Sequence, residues 1–440
     1  MLLIKNCKVL IDGEFLERSI LVGDDGKIRK IAVGSGLKSA DADEVIDAAG
    51  KHALPGLIDM HVHCREPGME WKDDFRTASM AAAAGGVTTI FDMPNTKPAT
   101  TTVALLEEKR KLAAAKCIVN YGLYIGATAG NSAELKKARN TAGVKLYMGS
   151  TTGELVVTDE EAIKKVLGSG KIVVVHAEDE KLIRENTEKY RGQNSPEVHA
   201  KIRSNEVAAR AVREALRLAG DCKAKRLHIT HSSTKEEMLL IREAKKKMPM
   251  PLSCDATPHH LFLASNELKT QGNFAKMNPP LRSKADVESL WRAISDGTID
   301  CIATDHAAHT KEEKEQGYWD APSGVPGLQT MLPLLLDAVN KRRLSLRQLA
   351  KLTAENPAAL FGVKGKGRIA AGMDADITFV DMGEWKTIKN EDMLTKCGWT
   401  PFDGWKAKGT VAATIVNGRI VYRSAEIVGE KRTGMEAIFE

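Results

Sequence analysis

Between Pro55 and Phe361 the sequence repeats one unit, a short apolar β-rich run followed in most cases by a stretch with helical periodicity. The runs fall at residues 57–63, 88–93, 118–125, 143–148, 171–176, 226–231, 251–256 and 298–304. Helical patterns occupy 77–84, 105–115, 160–166, 204–219, 235–247 and 286–295. Eight strands alternating with helices is the count of an α/β (β/α)8 TIM-type barrel. An open doubly wound sheet is the competing arrangement. It is disfavoured because no Gly-x-Gly-x-x-Gly follows the first run and the polar residues do not gather at one crevice.

Both ends of the chain read differently. Runs at 2–10, 19–22 and 28–32, with turn signals at Asp12-Gly13 and 24–26, are strand-like. So are 376–380, 410–416 and 419–422, the last two joined by the hairpin signal Asn417-Gly418. The expectation is a small β-sandwich-like domain built from 1–54 and 366–440, around a barrel spanning 55–365. A length of 440 residues accommodates both.

The formal net charge of +6 is small for this length. The basic clusters 245–247 and 341–343 interrupt helical patterns and read as solvated helix faces, with no interleaved aromatics, so neither nucleic acid nor membrane is expected as a partner. Seven scattered cysteines without a C-x-x-C pair point to reduced thiols in a cytoplasmic protein. No run reaches the roughly 18 apolar residues of a membrane span. A homo-oligomer stays open.

The chemistry lies where the apolar runs stop. The first ends in Asp59-Met60-His61-Val62-His63-Cys64-Arg65, and residues two apart on a strand share a face. His61, His63 and Arg65 therefore project together, and two converging neutral imidazoles suit a zinc-like ion. The fifth run ends at His176, the sixth at His231 and the eighth at Asp305. A single such residue reads as well as a cap or a packed core group. Four strand ends carrying one at the same mouth of a barrel read better as a metal site. Four imidazoles and a carboxylate exceed the needs of one open catalytic zinc and suit two metals about 3.5–4 Å apart. Two dications need a bridging anion. Apart from the Tyr147 phenol, the only ionisable residue of the fourth run is Lys145, which as a neutral amine takes up CO2 to form an anionic carbamate. The alternative is a lysine snorkelling from a strand end.

The block 59–68 resembles the metal-binding signature of the dihydroorotase and allantoinase family of cyclic amidohydrolases, in the amidohydrolase superfamily. Further blocks of the family follow in order: 92–96, 144–148, 176–178, 230–233, 277–282 and 303–309, with Gly372-Met373-Asp374-Ala375-Asp376 leading back to the β-rich end. The resemblance implies that His61, His63 and Asp305 hold one divalent ion, zinc by family default, and that His176 and His231 hold a second. Lys145, carbamylated, bridges them. It further implies a small-molecule substrate whose carboxylate meets Arg65, Asn95 and His309. Asn278 contacts the ring, and backbone groups of Ser323 and Gly324 read its edge.

The activity implied is reversible closure of N-carbamoyl-L-aspartate to L-dihydroorotate in pyrimidine synthesis, with Asp305 as metal ligand and acid/base. Allantoinase or another cyclic amidohydrolase is the nearest alternative, since those relatives share the ligands but as a rule lack the Arg–Asn pair. A non-catalytic barrel relative fits less well, because such proteins typically lose ligands. Cys64 is expected to be a packed thiol, and His259 and His260 to support the site without ligating metal. The segments 150–157 and 311–322 are candidate lids.

Overall fold

The computed structural model describes all residues except 12, 34–35, 38–41, 152–154 and 429–432. Eight parallel strands form the barrel: β1 (Leu57–His63), β2 (Val87–Asp92), β3 (Asn120–Gly126), β4 (Gly143–Tyr147), β5 (Ile172–His176), β6 (Arg226–Ile229), β7 (Leu252–Ala256) and β8 (Cys301–Ile302). The last is split. Cys301 and Ile302 pair with β7, and four residues later His306 and Ala307 pair with β1, so one short segment closes the sheet on itself. Eight of the expected runs are strands, but 226–231 and 298–304 stop short, leaving His231 and Asp305 beyond regular pairing.

The barrel helices form where apolar periodicity and caps coincide. Lys235–Lys247 is opened by a Thr234–Glu237 capping box and closes on Lys245–Lys247, basic residues where the helix dipole favours them. Lys341–Arg343, expected on a helix face, is instead the exposed turn after the helix Met331–Asn340.

Inside the barrel, Ile58, Met60, Phe91, Tyr124, Val174 and Ala303 pack with Phe361 and Phe439. Val62, Leu146, Val173 and Val175 belong to the larger core shared with the helices. β1 changes register against β2 between Asp59 and Val62. That irregularity switches the alternation, so Ile58 and Met60 face inward below and His61 and His63 face inward above.

The second sheet interleaves the two ends of the chain. His52–Pro55 pairs antiparallel with Ile377–Thr387 on one side and parallel with Leu2–Ile11 on the other. Its core holds Ile4, Val9, Ile20, Ala53, Ile377, Phe379 and Ile415. The hairpin joining Lys406–Val416 to Arg419–Arg423 turns on Asn417 and Gly418, at φ 49° and 76°. Both values are left-handed, as a type I′ turn requires, which is why Asn-Gly stands there. Asp12, half of the turn expected at Asp12-Gly13, lies outside the described residues. No described helix is long and apolar enough to cross a membrane.

Asp59 holds the barrel closure together. Its fully buried carboxylate accepts from the backbone of His61 (3.1 Å) and from the backbone (3.1 Å) and hydroxyl (2.5 Å) of Thr304 in the break of the eighth strand. Removing it strands three buried donors, each costing roughly 1–3 kcal/mol. Asp59→Ala is expected to lower stability by about 3 kcal/mol or more, read as a lower urea midpoint at constant m-value. A loss under about 0.5 kcal/mol would show that the closure does not depend on it.

Candidate metal centre

Three site residues carry left-handed backbone: Arg65 (φ 64°), His231 (φ 38°) and Asp305 (φ 47°). None is glycine, so each costs on the order of 1–3 kcal/mol and persists because its surroundings fix it. Asp255, fully buried on β7, accepts from the His231 backbone N–H at 2.7 Å with one oxygen. Its other oxygen meets His228 Nε2 at 2.8 Å. Along β6 and the residue that follows it the inward positions run His228 then Thr230, so simple alternation would point His231 outward. The left-handed turn held by Asp255 brings its ring back over the barrel.

The expected ligand atoms gather in two groups. His61 Nε2 lies 3.1 Å and His63 Nε2 3.0 Å from the same Asp305 oxygen. His176 Nδ1 lies 2.9 Å from His231 Nε2. One ligand atom each from His61, His231 and Asp305 falls within 4.8 Å of the others, so the two groups adjoin. Lys145 is fully buried below them, its Nζ 3.4 Å from Thr230 Oγ1, which in turn is 3.1 Å from His231 Nε2.

Electrostatics favour neutral ligands. Burial, reinforced by the neighbouring cations, holds His61, His63 and His231 well below the ordinary imidazole range. Burial also draws Lys145 down to about 8 and pushes Asp305 up to about 7. Burial would raise Glu178 too, but Arg203 and the His176 hydrogen bond outweigh it and hold that carboxyl at about 2. Glu178 thus stays ionised and accepts from His176 Nε2–H at 2.9 Å, leaving Nδ1 as the lone-pair atom facing the site. Asn95 does the same for His63, its Oδ1 2.7 Å from Nδ1. The sequence reading did not foresee either role. Only the spacing His176-Ala177-Glu178 hinted at one of them.

The other expected contacts are at hand. Arg65 is 2% exposed, and its Nε donates to the Ala308 carbonyl at 3.0 Å. His309 Nε2 lies 3.1 Å from Arg65 Nη2 and 3.0 Å from the Ser323 carbonyl. Gly324, at φ 140°, leaves room that a Cβ would close, since that atom would stand 3.0 Å from His309 Nε2 and 2.8 Å from the Ala307 carbonyl. Gly324 spends its N–H on the Lys276 carbonyl and its own carbonyl accepts from Lys314, so its N–H is already engaged within the protein. Asn278 pairs with His199 at 2.9 Å and with Thr151 at 3.3 Å.

Cys64 is fully buried in the outer core, as expected of a packed thiol. His260 uses both ring nitrogens, on Thr257 (2.8 Å) and the Pro279 carbonyl (3.0 Å), which leaves it no lone pair for a metal. Of the segments read as lids, 150–157 includes residues outside the described set. The other is pinned from within, because the buried Lys314 ammonium donates to the carbonyls of Lys276, Pro322 and Gly324.

Residues 52–421 match the model of the Amidohydrolase family. Over 417 residues the chain is 41% identical to a dihydroorotase of Methanosarcina acetivorans, covering 92% of this chain and 88% of that protein. It is 37% identical over 431 residues to a dihydroorotase of Pyrococcus furiosus, covering 97% and 95%. Among solved structures, an L-hydantoinase (dihydropyrimidinase) from Arthrobacter aurescens superposes with a TM-score of 0.94 at 30% identity, covering 99% of both chains. A closed (β/α)8 barrel, buried neutral imidazoles at its mouth and relatives matched along almost the whole chain agree: this chain belongs to the amidohydrolase family, in its dihydroorotase branch.

Proposed function

We propose that the protein interconverts N-carbamoyl-L-aspartate and L-dihydroorotate, a ring closure serving pyrimidine synthesis, with two divalent ions at the barrel mouth. The observation that carries this reading is Arg65. Its guanidinium is buried and, among the described residues, faces only a carbonyl and a neutral imidazole, with no carboxylate paired to it. An unpaired buried cation costs several kcal/mol. A substrate carboxylate offsets that cost, whereas the uncharged rings of allantoin or hydantoin leave it standing.

His61, His63 and Asp305 would hold one ion, zinc being the first choice, and His176 and His231 the other, with Lys145 as a carbamate between them. The donor set fits: the imidazoles are neutral, and Asn95 and Glu178 leave the site-facing nitrogen of His63 and of His176 as a lone pair. Lys145 has no carboxylate partner among the described residues, and its lowered basicity leaves part of it as free amine near neutral pH. That nitrogen adds to CO2 with loss of one proton. When bound, such ions supply a water that ionises near neutral pH and polarise the amide carbonyl.

Arg65 forks onto the ring carboxylate, with Asn95 and His309 beside it, while Asn278 and the Ser323 backbone meet the ring and Gly324, its N–H and carbonyl already engaged, lines the space beside it without a side chain. In ring opening Asp305 takes the proton of the attacking water and delivers it to the amide nitrogen as the C–N bond breaks. In ring closure it removes the ureido proton.

The deciding experiment offers the zinc-loaded protein, in bicarbonate buffer, L-dihydroorotate, hydantoin and allantoin side by side. The expected preference in kcat/KM is at least roughly a hundredfold for L-dihydroorotate, and Arg65→Met is expected to abolish that preference. Equal turnover of the neutral rings would sink the anion pocket. Asp305→Asn is expected to bind L-dihydroorotate but lose roughly a thousandfold or more in kcat; retention of a tenth of the rate removes Asp305 from proton transfer. Protein equilibrated with [13C]bicarbonate is expected to show a carbamate carbonyl resonance that vanishes in Lys145→Ala. Its absence from the wild type means that Lys145 is unmodified.

A further inference from the structure

One buried cation beside the anion pocket has no part in that reading. Lys72 is 7% exposed, and its Nζ lies 3.0 Å from His309 Nδ1 and 3.0 Å from a Glu313 carboxylate oxygen. His309 is itself fully buried. Burial, helped by Arg65, holds its imidazole well below the ordinary range, so the ring is neutral and carries a single N–H. Which nitrogen carries it follows from the neighbours, because an ammonium and a guanidinium only donate and a carbonyl only accepts.

With the proton on Nε2, Nδ1 accepts from Lys72 at 3.0 Å and Nε2–H donates to the Ser323 carbonyl at 3.0 Å. Only the Arg65 contact then sets donor against donor. With the proton on Nδ1, that hydrogen faces the Lys72 ammonium and the Nε2 lone pair faces the Ser323 carbonyl. Those two mismatches are offset by Arg65 and by a Glu313 oxygen that stands 3.6 Å from Nδ1, too far for a good hydrogen bond.

We infer that Lys72, held by Glu313, is a positioning residue that fixes His309 as its Nε2–H tautomer and thereby completes the receptor for the substrate carboxylate. Nε2–H and Arg65 Nη2 then stand as donors 3.1 Å apart, an arrangement that an incoming carboxylate oxygen relieves by accepting from Arg65 and sharing Nε2–H with the Ser323 carbonyl in a three-centre bond. Lys72 sets the preference for a carboxylated ring through His309 and does not contact the reacting atoms. The inference rests on the anion-pocket reading above and adds to it the residue that orients the second donor.

The test joins a spectroscopic readout to kinetics. In zinc-loaded wild-type protein labelled with 15N-histidine, His309 is expected to show a protonated Nε2 and an unprotonated Nδ1. A protonated Nδ1 there overturns the inference without any variant. Lys72→Met is expected to raise KM for L-dihydroorotate roughly ten- to a hundredfold with kcat changed only a few-fold, and to shift His309 toward the other tautomer. Lys72→Arg, which also only donates, is expected to restore both. An unchanged KM in folded Lys72→Met, or a raised KM with the tautomer unmoved, defeats the tautomer assignment while the anion pocket stands. A wild-type enzyme that does not prefer L-dihydroorotate over hydantoin removes the pocket itself, and this inference with it.

Discussion

The active face depends on the way two buried carboxylates hold broken strand ends. Regular β alternation would send His231 outward and carry the eighth strand straight through its break. Asp255 instead captures the His231 backbone in a left-handed turn, and Asp59 binds across the break at Thr304, one residue before the left-handed Asp305. These carboxylates sit deep in the barrel, where an unmade hydrogen bond is expensive, so the strained geometry above them is well determined. The convergence of the imidazoles on Asp305 follows from that support more than from the strands.

Buried cations near the site are handled in contrasting ways. Lys109 is neutralised by Asp92 at 2.5 Å. Lys314 is satisfied by three backbone carbonyls and pins the segment that carries Ser323 and Gly324. Arg65 and Lys145 have no carboxylate partner among the described residues. In the proposed function, that incomplete solvation would give Arg65 its affinity for a substrate anion and Lys145 its affinity for CO2, because a ligand that completes it recovers free energy that the fold has left uncompensated.

Much of this was legible in the chain, for identifiable reasons. The runs of β1 to β7 are short, β-rich and largely apolar and stand between helix-patterned stretches, so the barrel could be counted. The eighth strand was overestimated because residues 298–304 are rich in β-favouring Thr, Ile and Cys, although only Cys301 and Ile302 pair with β7. The helix Glu180–Tyr190 buries only Glu180 and Ile183 and so leaves no apolar stripe to detect. Met331–Asn340 has the opposite property, being buried on nearly every side, and shows no period either. Among site residues, the proposed ligands stood out because imidazoles at the ends of apolar runs are conspicuous. Asp59, Asp255 and Glu178 did not, since a lone carboxylate in a strand or loop resembles any other.

By itself the sequence determined the barrel, the pairing of the two chain ends in a second sheet and the set of residues at the barrel mouth. These follow from local periodicity, turn chemistry and residue type, all written in neighbouring positions. Only the tertiary structure decided which ring nitrogens face the site, which carboxylates hold the strained turns, and that Arg65 is left without a counter-ion among the described residues while Lys72 meets His309. Those depend on atoms from strands and loops up to some 245 residues apart, as in the Asp59–Thr304 contact, and no local pattern encodes such distances. Folding brings them together because closing the barrel sets the ends of its first and last strands side by side.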